Sequence, residues 1–405
     1  MPQKSSYTDI DKKYLPWSVY QEELYEMGLH DKKPPFTTVF DEWQPLAKER
    51  LSETAYCYAA GSAGRESTER RNTEALGRVR FIPHMLTPKA STRNLEIELF
   101  GVKYPTPILV APIGVQRLYH SEGEVAAARA ASKLGIPYIM SSASSSSMEQ
   151  VAQASGDGPR WFQLYWPEDP NVTVSMLEAA TAAGFRTLVV TLDTWNLSWR
   201  PRDLKNAYVP FYHGVGDQVC NSTEAFLDKM RSLNLSPKSN PREVGKHWVK
   251  HIFPGSQHGW DEINLLRRHW KGPIILKGIQ HVDDAKKAVE YGLDGIIVSN
   301  HGGRQFDGGI GSIEALEPIV DAVGDKLTVL FDSGVRSGVD VMRALALGAK
   351  AVLIGRPFLW GLSLAGTDGV VHVLRCIMAD LDLNMGLAGY HSIKELTKKD
   401  VYWKV

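Results

Sequence analysis

Eight short apolar runs recur along this chain from about residue 105 onward, and most are too short to be helices. They fall at 108–112, 138–142, 161–165, 187–193, 274–278, 295–300, 328–333 and 351–356. Most are rich in Val, Ile and Leu, the pattern of strands buried on both faces. Between them lie stretches with helical periodicity, among them 122–134, 172–183, 283–291 and 339–347. Gly135, Gly184, Gly292 and Gly348 stand near the ends of these stretches, where a left-handed residue commonly terminates a helix. Eight strand–helix repeats predict an α/β chain folded as a (β/α)8 TIM barrel, with its functional groups at the C-terminal strand ends. A doubly wound sheet is the structural alternative.

Three parts fall outside the repeat. Residues 1–104 read as an N-terminal helical extension packed on the bottom and side of a barrel spanning 105–385. Residues 195–258, after strand four, hold prolines, asparagines and a cluster of aromatics. A structureless connection of that length is usually a functional lid or a disordered segment; at the catalytic face a lid that shields a reaction from water is the simplest reading, and a tolerated surface insertion is the alternative. Residues 386–405 read as a C-terminal tail. The serine-rich stretch 141–147 reads as turn and N-cap chemistry before a helix.

Composition removes several function classes. The 405 residues carry 46 basic and 46 acidic side chains, so no net charge draws the chain to nucleic acid or an anionic membrane. Three cysteines, Cys57, Cys220 and Cys376, are too few and too scattered for a disulfide framework. Histidine and carboxylate spacing suggests no metal site. Residues 1–13 are polar, without the apolar core of a secretory signal. No apolar run approaches the roughly 20 residues that span a bilayer. The final residues 402–405 match no peroxisomal signal. A cytoplasmic protein is expected.

The chemistry gathers at strand ends. Gly295-Ile296-Ile297-Val298 leads into Ser299-Asn300-His301-Gly302-Gly303-Arg304-Gln305. His301 suits proton transfer near neutral pH, and Arg304 offers a fork for a carboxylate. A base needs a partner to fix its tautomer; Asp193, at the end of strand four, is the candidate, although such an aspartate could equally cap the following segment. Lys277 lies inside strand five, a costly place for a charge unless it is paired. Asp332-Ser333-Gly334-Val335-Arg336 and Gly355-Arg356-Pro357 end strands seven and eight, where barrels often bind phosphate. No glycine fingerprint of a dinucleotide fold occurs near the start.

The heptapeptide at 299–305 resembles the signature of the FMN-dependent 2-hydroxy acid oxidases and dehydrogenases. Further matching motifs run in order from about Tyr58 to Trp360. Among members, the motifs Ala111-Pro112-Ile113-Gly114, Phe162-Gln163-Leu164-Tyr165, Thr191-Leu192-Asp193-Thr194-Trp195 and Trp199-Arg200-Pro201-Arg202-Asp203-Leu204 look nearest to lactate 2-monooxygenase. The resemblance implies FMN as cofactor and His301 as base, paired with Asp193. It implies that Tyr58, Tyr165, Arg200 and Arg304 hold the substrate. Ser142, Gln163, Thr191, Lys277 and Ser299 would contact the flavin, with Asp332 on its ribityl chain and Gly334, Arg336, Gly355 and Arg356 about its phosphate. It further implies a small L-2-hydroxy acid, L-lactate, oxidised with molecular oxygen and decarboxylated to acetate, by a tetramer or octamer. The alternatives are an oxidase releasing 2-oxo acid and peroxide, a dehydrogenase passing electrons to cytochrome or quinone, and a flavin-binding scaffold without catalysis. Two positions depart from pattern. Gly114 replaces the alanine of many oxidases, which would leave room for oxygen or retained product. Phe306-Asp307-Gly308 looks more like an ordinary oxidase than the monooxygenase.

Overall fold

A computed structural model of the chain describes residues 16–87 and 93–403. Most of the polar N-terminal stretch and the last two residues, read above for targeting signals, lie outside the described residues. The eight apolar runs form the strands β1 (Ile108–Val110), β2 (Tyr138–Ser141), β3 (Arg160–Tyr165), β4 (Leu188–Thr191), β5 (Ile274–Ile279), β6 (Gly295–Val298), β7 (Thr328–Phe331) and β8 (Ala351–Ile354). They pair in parallel, each with its neighbour in sequence, and β8 returns to β1 to close the barrel. Several strands stop short of the apolar run that encodes them, because its last residues turn out of the sheet to build the site. The helix over 122–134 is observed at Gly123–Leu134, and Gly135 closes it at φ 68°.

Alternation along each strand separates two cores. Ile108, Met140, Phe162, Val190, Leu276, Ile296, Phe331 and Val352 face the surrounding helices. Leu109, Ile139, Trp161, Val189, Ile275, Ile297, Leu330 and Leu353 fill the barrel interior. The hairpin Ile97–Leu99 with Val102–Tyr104 adds Ile97, Leu99 and Tyr104 to that interior cluster and so plugs the N-terminal end of the barrel.

The N-terminal extension does more than cover the bottom and side. Helices Glu53–Ala60 and Ser67–Arg78 rise to the opposite, catalytic face, where Ala63 N–H donates to Gly303 O at 3.0 Å. The reason is polar: the loop after β6 carries donors and acceptors that these helix ends satisfy. Near the tail, Val401–Trp403 pairs antiparallel with Val79–Phe81.

Residues 195–258 are not structureless, which corrects the loop reading. They hold helices Pro201–Lys205, Glu224–Ser232 and Pro241–Ile252, with Phe211, Val219, Phe226, Met230, Val244 and Trp248 buried. Prolines begin two of those helices, a position where a missing N–H costs nothing; they had made the stretch look irregular. The helix Arg356–Ala388 is long and apolar enough to cross a bilayer by length and composition, but 67% of its apolar 18-residue stretch is buried inside the protein.

Candidate active site

The interior alternation carries on beyond the barrel's apolar layer. Two residues after Ile139, Trp161, Val189, Ile275, Ile297 and Leu330 come Ser141, Gln163, Thr191, Lys277, Ser299 and Asp332. A polar ring therefore caps the apolar core at the C-terminal end, and every member is buried. Above it lies a cavity that opens to solvent. Tyr58, Tyr165, Arg200, Lys277, His301, Arg304, Asp332, Gly334, Arg336, Gly355 and Arg356 all line it.

Lys277 is paired, as a buried lysine must be. Its Nζ donates to Ser299 Oγ at 3.0 Å and lies 3.5 Å from Asp332 Oδ2 and 3.8 Å from Asp193 Oδ2. Asp193 reaches on to His301, whose Nδ1 is 2.8 Å from Asp193 Oδ1. Burial alone would raise the Asp193 carboxyl, but Lys277 and His301 outweigh it and hold it at about 2. An ionised Asp193 accepts a hydrogen bond from Nδ1–H, which leaves Nε2 of a neutral imidazole free to take a proton. Burial lowers the His301 pKa; Asp193 works in the other direction and does not cancel it. Thr194 Oγ1 steadies the pair from 3.0 Å to Asp193 Oδ1 and 3.2 Å to His301 Nδ1.

The backbone at His301 is unusual. His301, Gly302 and Gly303 take φ of 57°, 63° and 75° in succession, a left-handed run that only glycines adopt freely. A Cβ at Gly303 would sit 2.5 Å from Glu69 N, so the motif's second glycine also admits the Ser67–Arg78 helix. The strain at His301 is supported by Ser299 Oγ, which accepts from its N–H at 3.1 Å, and by Asn300, which bonds reciprocally with Asn72.

The cavity-lining arginines are each held by hydrogen bonds to neighbouring segments. Arg304 Nη1 donates to Tyr58 O at 2.8 Å and Gly61 O at 2.7 Å, capping the Glu53–Ala60 helix, and its guanidinium stands 5.3 Å from the Tyr58 ring centre. Arg200 Nε donates to Arg304 O at 3.0 Å, and its Nη2 binds Gln305 Oε1. At the ends of β7 and β8, Arg356 donates to Ala59 O, Gly302 O and Ser62 Oγ, and Arg336 pairs with Glu69 at 3.3 Å. Burial first, then Arg304 and Arg336, lower the Arg356 pKa to about 9. Four arginines thus crowd a buried site with few fixed anions among them, an arrangement that favours anionic ligands.

Comparison with known proteins identifies the architecture. The family model for FMN-dependent dehydrogenase matches residues 47–403. The chain belongs to the FMN-dependent 2-hydroxy acid dehydrogenase family. It is 47% identical over 391 residues to an FMN-dependent alpha-hydroxy acid dehydrogenase of Schizosaccharomyces pombe, covering 95% of this chain and 96% of that one. It is 40% identical over 365 residues to an L-lactate oxidase of Lysinibacillus sphaericus, covering 89% and 92%. A crystal structure of mandelate oxidase superposes with a TM-score of 0.79 at 36% identity, covering 91% of this chain and 98% of that one. The protein is an FMN-dependent 2-hydroxy acid oxidoreductase.

The residues present fit FMN. Gln163 Nε2 is buried without a hydrogen-bond partner, so a polar ring edge can complete it. Lys277 and the cavity-lining Arg336 and Arg356 supply cations for an anionic ring and a phosphate. A Cβ at Gly355 would meet only Ile113 Cδ1 at 3.9 Å and Ala111 Cβ at 4.0 Å, ordinary contacts, so no atom crowds the backbone there.

Some expected roles shift. Ser142 Oγ donates to Gln163 O at 2.7 Å and accepts from Tyr165 N–H at 3.0 Å, stitching β2 to β3. Its neighbour Ser141 is the inward serine and donates to Gln163 Oε1; alternation from Ile139 would have selected it. Gln163, Thr191, Ser299 and Asp193 stand in or behind the polar ring rather than on the cavity lining, and Ser299 and Asp193 hold Lys277 and His301 in place. Gly114 does not leave a void. A Cβ there would collide with Ala143 O and lie 2.7 Å from Ala143 Cβ, so the glycine serves a close backbone approach. Trp199 is 74% exposed, and neither it nor Trp195 lines the cavity. The lining residues that sequence reasoning missed, Val115, Tyr119, Leu197, Phe211 and Phe253, come from the β1 loop and the lid. No local signal marks them; long-range packing brings them in.

Proposed function

We propose that this enzyme oxidises an L-2-hydroxy acid to its 2-oxo acid with molecular oxygen as the final acceptor. One observation carries the reading: the His301–Asp193 pair and the carboxylate-binding groups Arg200, Arg304, Tyr58 and Tyr165 converge on one cavity. The arginines and tyrosines hold the acid, Nε2 of His301 takes a proton, and Asp193 stabilises the imidazolium that results. FMN bound there supplies the two-electron acceptor. The lid contributes Leu197, Arg200, Phe211 and Phe253 to the cavity lining and would limit the access of water.

The acetate-forming outcome on lactate is a second reading. One feature favours it: Gly216 of the lid packs 2.5 Å from Val115 Cγ1 and 2.9 Å from Ala143 O, counted from its would-be Cβ, so the lid is pressed onto the cavity rim and would slow release of the oxo acid. The other grounds weaken, since Gly114 opens no space and Trp199 faces solvent. Release of oxo acid and peroxide is therefore the primary reading. A cytoplasmic location and a homo-oligomer belong to the same proposal.

Oxygen uptake with an L-2-hydroxy acid, with peroxide, 2-oxo acid and the one-carbon-shorter acid measured together, tests this. Peroxide and oxo acid equal to the oxygen consumed is the expected result. The shorter acid without peroxide would establish the second reading. Turnover with a quinone but none with oxygen would overturn both.

A further inference from the structure

The cavity lining includes an apolar set of side chains that the proposed reaction does not use. They are Val115, Tyr119, Leu197, Phe211 and Phe253, with the ring of Tyr165 adjoining. The Phe253 ring centre lies 4.9 Å from that of Tyr165 and 5.8 Å from that of Phe211, so three aromatic rings form one continuous face. Apart from Arg200, the lid residues on this wall carry no charge or hydrogen-bonding group. Burial holds the Tyr119 phenol well above its ordinary pKa, so it adds no charge.

This face is built to keep its shape. A Cβ at Gly245 would collide with Phe211 O, so the Pro241–Ile252 helix packs directly on the backbone that carries Phe211. Phe253 follows that helix, its N–H bonded to Val249 O at 2.9 Å, and Gly255 N–H ties the chain to Trp195 O at 3.0 Å. A preformed apolar face gains nothing from a methyl group too small to reach it, because uncovered lining atoms lose their dispersion contacts. It gains from each apolar carbon that covers it.

Resting on the oxidation proposed above, we infer that Val115, Tyr119, Phe211 and Phe253 form the side-chain pocket of the substrate. The preferred acids then carry an aromatic or branched apolar group in place of lactate's methyl.

The test compares L-lactate, L-2-hydroxyisocaproate and L-3-phenyllactate with the holoenzyme. The larger acids should exceed L-lactate in kcat/KM by about tenfold or more, chiefly through KM. Phe253→Ala should lower the ratio of kcat/KM for L-3-phenyllactate over L-lactate by about tenfold, and Phe253→Leu by less. L-lactate as the best substrate, or an unchanged ratio in Phe253→Ala, would overturn the inference. A second measurement is independent of turnover: pyruvate, 4-methyl-2-oxopentanoate and phenylpyruvate are titrated into FMN-loaded His301→Gln, with binding read from flavin absorbance. Tighter binding of the larger two supports the pocket, and equal or weaker binding overturns it. If no 2-hydroxy acid of any size reduces the flavin, the oxidation reading fails, and these affinities still decide the pocket.

Discussion

His301 is held by forces that oppose each other. Burial lowers its pKa, while the Asp193 carboxylate at 2.8 Å raises it. The net shift is downward, so the imidazole is neutral and able to accept a proton at neutral pH. As pH falls through that lowered pKa the base is already protonated and the reaction slows. The acid limb of kcat/KM should therefore lie below the ordinary histidine range. Asp193→Asn removes the group that raises the pKa and steadies the imidazolium. It should push the limb further acid and cost on the order of 10²–10⁴ in rate; an unmoved limb with near-normal rate would remove Asp193 from the mechanism. Arg304 answers a different question. Its Nη1 already serves carbonyls of the Glu53–Ala60 helix end, and the proposed clamp uses its remaining donors. Lysine cannot do both. Arg304→Lys should cost roughly 10–100-fold in kcat/KM, with KM raised and kcat lowered together; steady-state kinetics equal to wild type would refute the clamp. His301, Arg304 and Lys277 were legible as residue types at strand ends. Asp193 was legible as the partner of His301, but Tyr58 O and Thr194 Oγ1 were not, since they meet Arg304 and His301 only through the fold.

Elements explain where sequence reading succeeded and where it slipped. The eight strands were visible because burial on both faces demands unbroken apolar runs. Their ends were overrun because Ser299-Asn300 and Asp332-Ser333 extend those runs without extending the sheet. Ser142 was chosen over Ser141 by motif, although the two-residue period of β2 points Ser141 inward. Asp307 stood out only as a departure from pattern, yet it accepts from Arg65 N–H at 2.7 Å, Ser67 N–H at 2.8 Å, Ser67 Oγ at 2.6 Å and Thr68 N–H at 3.1 Å. It caps the Ser67–Arg78 helix from the catalytic loop. Although burial opposes ionisation, those donors hold its pKa at about 2. Asp307→Ala should destabilise the protein by about 0.5–2 kcal/mol, as loss of an N-cap does, and raise KM by loosening the segment that carries Tyr58. A thermal melt and KM identical to wild type would show that the cap is idle.

At the scale of the whole molecule, a barrel plugged at one end and lidded at the other encloses a charged chamber above an apolar core. The barrel was legible because its eight repeats are local. The placement of the N-terminal helices and the lid was not, because those depend on contacts far apart in sequence, such as Asn72 with Asn300. The cationic end of the chamber makes a prediction of its own: the protein should release FMN, and no FAD, in one-to-one ratio on denaturation, and release of FAD would contradict the fit of Arg336 and Arg356 to a single phosphate. The central claim is that His301 is the base of a flavin-dependent oxidation. Anaerobic mixing of an L-2-hydroxy acid with FMN-loaded wild type and His301→Gln tests it most directly. The wild-type flavin should bleach rapidly, and the variant should keep its FMN bound while bleaching more slowly, by about 10² or more. Comparable bleaching in both would contradict it.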